Sequence, residues 1–107
     1  MDETEFNRLS EGTLKAIAAA IDASGLDCDS EFKAEGVLEI EFDDGARMVI
    51  NRHAAAREIW VAAKSGGFHF RHQAGRWVDS RSGQELFSAL SDLLSRNSGT
   101  RVDLAGR

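Results

Sequence analysis

Two hydrophobic periods divide the chain. From Asp2 to Ser24, Phe6, Leu9, Thr13, Ala16, Ile17, Ala20 and Ile21 recur at three- and four-residue spacing, which predicts one face of an amphipathic helix. Asp2, with Glu5 three residues on, resembles a capping box with Asp in the place of Ser or Thr. Gly12 weakens the middle of this helix by about 1 kcal/mol relative to Ala, and Gly25 marks its stop. From Leu26 to Val78 the period is two. Cys28, Ser30 and Phe32 alternate with Asp27, Asp29 and Glu31, and a turn is expected at Lys33–Gly36. Leu38, Ile40 and Phe42 then alternate with Val37, Glu39 and Glu41. Asp43-Asp44-Gly45 carries the Asp-Gly hairpin signal, and Met48 and Ile50 alternate with Arg47, Val49 and Asn51. Further strands are predicted at Glu58–Ala62, around Phe68 and Phe70 after a turn at Ser65-Gly66-Gly67, and at Arg76-Trp77-Val78 after Ala74-Gly75. Helical spacing returns with Leu86, Phe87, Leu90, Leu93 and Leu94, capped by Ser82 or Asp79 and ended at Asn97-Ser98-Gly99. A short tail offers Val102 and Leu104 for packing.

Helix, five or six hairpin-spaced strands and helix imply an α+β fold. The expected form is a two-layer α/β sandwich, with two helices packed on one face of an antiparallel sheet of five to six strands. The other face is then open to solvent. On it fall Glu39, Glu41, Arg47, Val49, Asn51, Trp60 and His69. Ile59 and Val61 point to the core, so the largest side chain of that strand, Trp60, points outward. Cys28 is expected to face the helices, and Trp77 to pack at the sheet edge.

Composition narrows the class. The 107 residues suit a single domain spanning 1–107, and 42% hydrophobic content suits a packed core. No apolar run approaches the roughly 18 residues a bilayer requires. The acidic start, Met1-Asp2-Glu3-Thr4-Glu5, is unlike a secretory or transit peptide, and a lone cysteine cannot form an internal disulfide. A cytoplasmic protein is expected. The net charge of −5 is unevenly spread: residues 1–44 hold thirteen acids against three bases, and residues 45–107 hold five against ten. The acidic half suits a cation or a basic protein surface and repels phosphate, so nucleic acid is not an expected partner of that face. Ser, His and Asp form no recognisable nucleophile motif, and neither a P-loop nor a dinucleotide fingerprint is present. His69 and His72, three apart in a strand-and-turn region, are poorly placed for one metal.

The ordered set Glu5-Phe6-x-Arg8-Leu9, Gly36-Val37-Leu38-x-Ile40-x-Phe42, Asp44-Gly45, Ile50-Asn51-Arg52, Ile59-Trp60-Val61-Ala62, Lys64-x-Gly66-Gly67-Phe68-His69-Phe70, Trp77 and Arg81-x-Gly83 resembles the frataxin family, its bacterial CyaY-type branch in particular. The likeness runs over essentially the whole chain. It implies two helices on one face of an antiparallel sheet, and a role in iron–sulfur cluster assembly. It also implies weak iron binding on an acidic ridge, and binding to the cysteine desulfurase and scaffold complex, whose rate such a protein modulates.

By that resemblance the metal residues are Asp22, Asp27, Asp29 and Glu31. The partner-facing residues are Trp60 and Asn51, with Arg52 and His53 beside them and Glu39 and Glu41 adding field on the sheet. The last turns of the first helix, Ala18-Ala19-Ala20-Ile21-Asp22-Ala23, keep one acid where bacterial members usually carry several, so the ridge is thinned. Acids two apart on a strand are roughly 6.7 Å apart, too far for neighbouring carboxylates alone to build a compact site. Weak binding of a hydrated hard cation is expected, on the order of 10⁻⁵–10⁻³ M as at open oxygen-ligand sites. The resulting expectation is a monomeric, non-enzymatic regulator of cluster assembly that carries iron weakly. The alternatives are a metal-independent interaction module and an iron-oxidising or iron-storage protein.

Overall fold

The computed structural model describes residues 1–104. Helix α1 (Glu3–Ala23) is followed by β1 (Cys28–Ala34), β2 (Val37–Phe42), β3 (Arg47–His53), β4 (Glu58–Ala63), β5 (Gly66–Gln73), β6 (Arg76–Asp79) and helix α2 (Leu86–Ser98). The six strands form one antiparallel meander in the order β1-β2-β3-β4-β5-β6. One sheet face and both helices share a continuous core. Leu38, Ile40, Met48, Ile50, Ile59, Val61, Phe70 and Trp77 of the sheet meet Phe6, Leu14, Ile17 and Ile21 of α1 and Leu86, Leu90 and Leu94 of α2.

The predicted elements all form, with local corrections. Asp2 caps α1 by accepting the Glu5 N–H at 2.8 Å. The buried face of α1 runs through Phe6, Ser10, Leu14, Ile17 and Ile21. Leu9, Thr13, Ala16 and Ala20, expected on it, lie half-buried along its flank. Helix α2 is capped by neither Ser82 nor Asp79. The Glu85 carboxylate takes that place, accepting the N–H groups of Phe87 at 2.9 Å and Ser88 at 3.2 Å. Phe32 does not join the core. It is 46% exposed, because β1 is an edge strand with a register shift between Phe32 and Ala34, and it rests in a shallow groove with Leu14, Lys15 and Gly36. Cys28 is half-buried.

Three hydrogen bonds tie the outer elements to the core. Trp77, buried at the β6 edge as expected, donates its indole N–H to Thr13 Oγ1 at 2.9 Å and meets Phe6 edge-on. The tail after α2 doubles back along that helix, where Ser95 Oγ accepts the Val102 N–H and Ser91 Oγ accepts the Leu104 N–H. This seats Val102 and Leu104 in the core.

Candidate functional site

The open sheet face is centred on Trp60. Cross-strand register places Asn51 of β3 and His69 of β5 directly opposite Trp60 of β4, while His53 and Arg71 flank Glu58 one pair along. Trp60 is half-buried, and both faces of its indole are covered. The His53 imidazole stacks on one face with centroids 3.8 Å apart and planes 11° apart, and His69 stacks on the other at 4.3 Å and 10°. The indole N–H donates to Glu58 Oε1 at 2.8 Å, and Arg71 donates to Glu58 Oε2 at 3.0 Å. Glu58 is only 6% exposed. Burial is the largest influence on its carboxyl and pushes its pKa up. The bonds from Trp60 and Arg71, with the charges of Arg71 and His69, together outweigh burial and hold the pKa below the usual carboxylate value. The ring ladder is therefore clamped from beneath by a buried anion.

The other partner-facing candidates differ in what they present. Asn51 lies beside Trp60 and is half-buried, its amide at 3.3 Å from the Arg52 carbonyl. Arg52 has a side chain only 14% exposed, ion-paired to Glu35 at 2.7 Å and laid over Gly36, so it offers little charge outward. Glu39 and Glu41 lie on the open face as expected. Register sets Glu31 directly opposite Glu39 and Asp29 directly opposite Glu41. Like charges so placed repel, and two bases relieve them. Lys33 reaches Glu31 at 2.9 Å and Glu39 at 3.8 Å, and Arg47 reaches Glu41 at 3.6 Å. The hydrogen bond to Glu31, then the charges of Glu31 and Glu39, raise the Lys33 pKa.

The four metal candidates are not brought into one site. Asp29 and Glu31 share the open face with Glu41 and Glu39. Asp22, at the end of α1, accepts from Ser30 at 3.3 Å, and Ser30 alternates with Asp29 and Glu31 along β1 and so points to the helix side. Among the described residues no group of three or more His, Cys, Asp or Glu side chains is arranged to hold a metal ion. Burial, followed by the charges of Asp29, Asp22 and Asp27, pushes the Cys28 thiol up, which disfavours the thiolate that would bind metal or act as a nucleophile. Among the described residues no helix is long and apolar enough to cross a membrane.

This geometry can be set beside known proteins. The frataxin-like domain model matches residues 1–100. The chain belongs to the frataxin family. It is 48% identical over 104 residues to the iron–sulfur cluster assembly protein CyaY of Dechloromonas aromatica, covering 97% of this chain and 99% of that one. The frataxin of Psychromonas ingrahamii superposes with a TM-score of 0.90 at 30% identity, covering 98% and 99% of the two chains. A trimeric frataxin from the yeast Saccharomyces cerevisiae, in a ferrous complex, superposes with a TM-score of 0.67 at 25% identity, covering 94% and 88%. The frataxin architecture of two helices on one face of a six-stranded antiparallel sheet is the one found here.

What the sequence did not reveal was the support of Trp60. Its signal was present in part: the β4–β5 hairpin turns at Lys64-Ser65, two residues that precede the expected Gly66-Gly67, and that turn pairs Trp60 with His69, while a β3–β4 pairing of Asn51 with Trp60 leaves His53 diagonal to the indole.

Proposed function

We propose that this chain is a cytoplasmic iron–sulfur cluster assembly factor that acts by docking rather than by catalysis, with 1–107 working as one monomeric unit. Its partner is the cysteine desulfurase and scaffold complex, whose rate it modulates. The single observation that carries this proposal is the preorganised Trp60 ladder on a largely polar open sheet face. Trp is enriched at interface hot spots, where rigid placement reduces the entropy lost on binding. The β1–β2 carboxylates, partly offset by Lys33 and Arg47, supply an acidic field that steers a basic surface on the partner. The names of the curated relatives support the cluster-assembly role.

Ferrous iron fits as weakly held cargo. Asp27 precedes β1, and Asp29 and Glu31 face outward from it, so these acids suit a hydrated ion on open carboxylates. Asp22 stands apart on the helix side. The ferrous complex of the yeast relative supports an interaction of this kind. An anaerobic ferrous titration followed by amide NMR, with magnesium as control, should broaden Asp27, Asp29 and Glu31 selectively. A diffuse response, or one that magnesium reproduces, would leave protein contact alone.

Docking is tested by calorimetry with the reconstituted desulfurase–scaffold complex. Trp60→Ala should weaken binding by about 2 kcal/mol or more, as hot-spot truncations do. An affinity equal to wild type would remove Trp60 from the interface. A saturable iron-oxidation rate, abolished by Asp27→Asn with Asp29→Asn, would instead favour the iron-oxidising alternative.

A further inference from the structure

We propose that His53 and His69, rather than the indole between them, are the groups that read the partner, and that they read an acidic protein segment through its carboxylates. The inference rests on the docking role proposed above. A partner side chain cannot stack on Trp60, because an imidazole already covers each face. Nor can Trp60 offer its one polar atom, since the indole N–H is bound to Glu58. Trp60 is thus a positioning residue that holds two imidazoles upright and apart.

What the imidazoles offer follows from their own contacts. His53 Nδ1 accepts the Ala56 N–H at 3.3 Å, so the neutral ring carries its proton on Nε2 and is a donor there. The His69 side chain is 52% exposed, with Nδ1 at 3.9 Å from Glu58 Oε1. The two rings cannot share a metal ion. They lie on opposite sides of the indole, at 3.8 and 4.3 Å from it, whereas a His–metal bond is about 2 Å.

The charged groups around the pair are rich in donors and poor in available acceptors. From β4, Glu58 is buried with both oxygens bonded. From β5 comes Arg71, bonded to Glu58 but with its side chain 60% exposed. From β6 and the turn after it, Asp79 and Arg81 line a cleft with His69. Asp79 spends its oxygens on the Arg81 N–H and the Ser82 hydroxyl. From the loop after β3 comes Arg57, turned to the Ala54 carbonyl, while Arg52, opposite Ile59 in the register, has the core-side parity and is paired to Glu35. Around the two rings donors outnumber acceptors, the Asn51 amide oxygen being the exception opposite Trp60, and a donor-rich patch is complemented by a carboxylate-bearing segment. Protonation adds charge toward the carboxylate and places a cation on the indole face; at His53 it also displaces the Ala56 N–H from Nδ1, so His69, whose Nδ1 faces Glu58, is the ring that gains more.

The test measures affinity for the reconstituted desulfurase–scaffold complex at about pH 8 and pH 6, for wild type and for His53→Gln with His69→Gln, which keeps neutral hydrogen-bonding groups. Wild-type affinity should rise several-fold on acidification, and the double variant should lose that rise while keeping a wild-type amide spectrum. A glutamate-rich peptide, used as a bare carboxylate probe, should shift the imidazole resonances of His53 and His69, and a lysine-rich peptide should not. Identical pH profiles for the two proteins, or no imidazole response to the acidic peptide, would overturn the inference while leaving docking intact. No binding by wild type at either pH would overturn docking and this inference together.

Discussion

Glu58 is the side chain whose loss should cost the open face most. It is buried, and its two oxygens hold the Trp60 indole at 2.8 Å and Arg71 at 3.0 Å. A hydrogen bond to a charged group contributes about 1.5–3 kcal/mol. The Arg71 side chain is well exposed, so its pairing is discounted to the about 0–1 kcal/mol of surface ion pairs. In Glu58→Gln the amide oxygen can still accept one bond, but the amide nitrogen faces a guanidinium and the charge is gone. The expected loss is about 2 kcal/mol at pH 7, which for a domain of this size lowers Tm by roughly 10 °C. The pH dependence supplies a second check. The folded-state pKa of Glu58 lies below its ordinary value, so its stabilisation is complete above the unfolded pKa of about 4.3. It is lost as pH falls through the folded pKa. The gap between wild type and Glu58→Gln should therefore be constant from neutral pH down to about pH 5 and narrow in more acidic solution. Urea unfolding at a series of pH values measures it. A gap below about 0.5 kcal/mol at pH 7, or one that stays constant into strong acid, would refute the clamp.

Three further substitutions probe the scaffold. Ser91→Ala removes a buried hydroxyl that donates to the Phe87 carbonyl at 2.7 Å and accepts the Leu104 N–H at 2.9 Å. Leaving that N–H unpaired should cost about 1–3 kcal/mol, with faster hydrogen exchange at Leu104 as the local readout. Gly36→Ala places a Cβ 2.8 Å from Arg52 Nε at a φ of +76°. Denaturant unfolding should show a loss of about 1 kcal/mol or more, and the Arg52–Glu35 pair should open. Ala74 and Gly75 have φ of 51° and 81° in the two-residue β5–β6 turn, a geometry that favours Asn-Gly. Ala74→Asn should raise stability by about 0.5–1 kcal/mol in thermal unfolding, with docking unchanged.

The sequence showed most where burial is one-sided. In β2, β3 and β4 alternate residues fall to the core at Leu38, Ile40, Met48, Ile50, Ile59 and Val61, and a one-residue slip would expose them all. The same rule failed at β1, where Phe32 has the right parity but an edge position and a shifted register. Alternation states which side a residue takes, not whether anything covers that side. In α1 the apolar spacing places Phe6, Ile17 and Ile21 on the buried face but misses its centre. Leu14 and Ser10 are buried, and the small residues Ala16 and Ala20 lie at the flank. Ala and Thr satisfy a helical period without marking its centre, whereas the bulk of Phe6, Leu14 and Ile17 does.

The candidate site divides along the same physical line. Trp60 was visible because it breaks a pattern, a large apolar residue at a polar parity. Glu58, His53 and His69 break none, since charged and imidazole residues are ordinary on an open sheet face. Their importance comes from cross-strand register, which brings residues 53, 58, 60, 69 and 71 into one cluster. Register also divides the four metal candidates between two sides. Strand parity gives Asp29 and Glu31 to the open face and Ser30, with Asp22 bonded to it, to the helix side. A site spanning both would have to wrap the free edge of β1. The carboxylates of Glu31, Glu39 and Glu41 are meanwhile in reach of Lys33 and Arg47, so a hard cation must compete with resident bases for them. Competition of that kind weakens metal affinity while leaving the Trp60 cluster untouched. The outward acids and the ring ladder should therefore respond to separate perturbations: high salt should weaken the first, and His53→Gln with His69→Gln should alter the second.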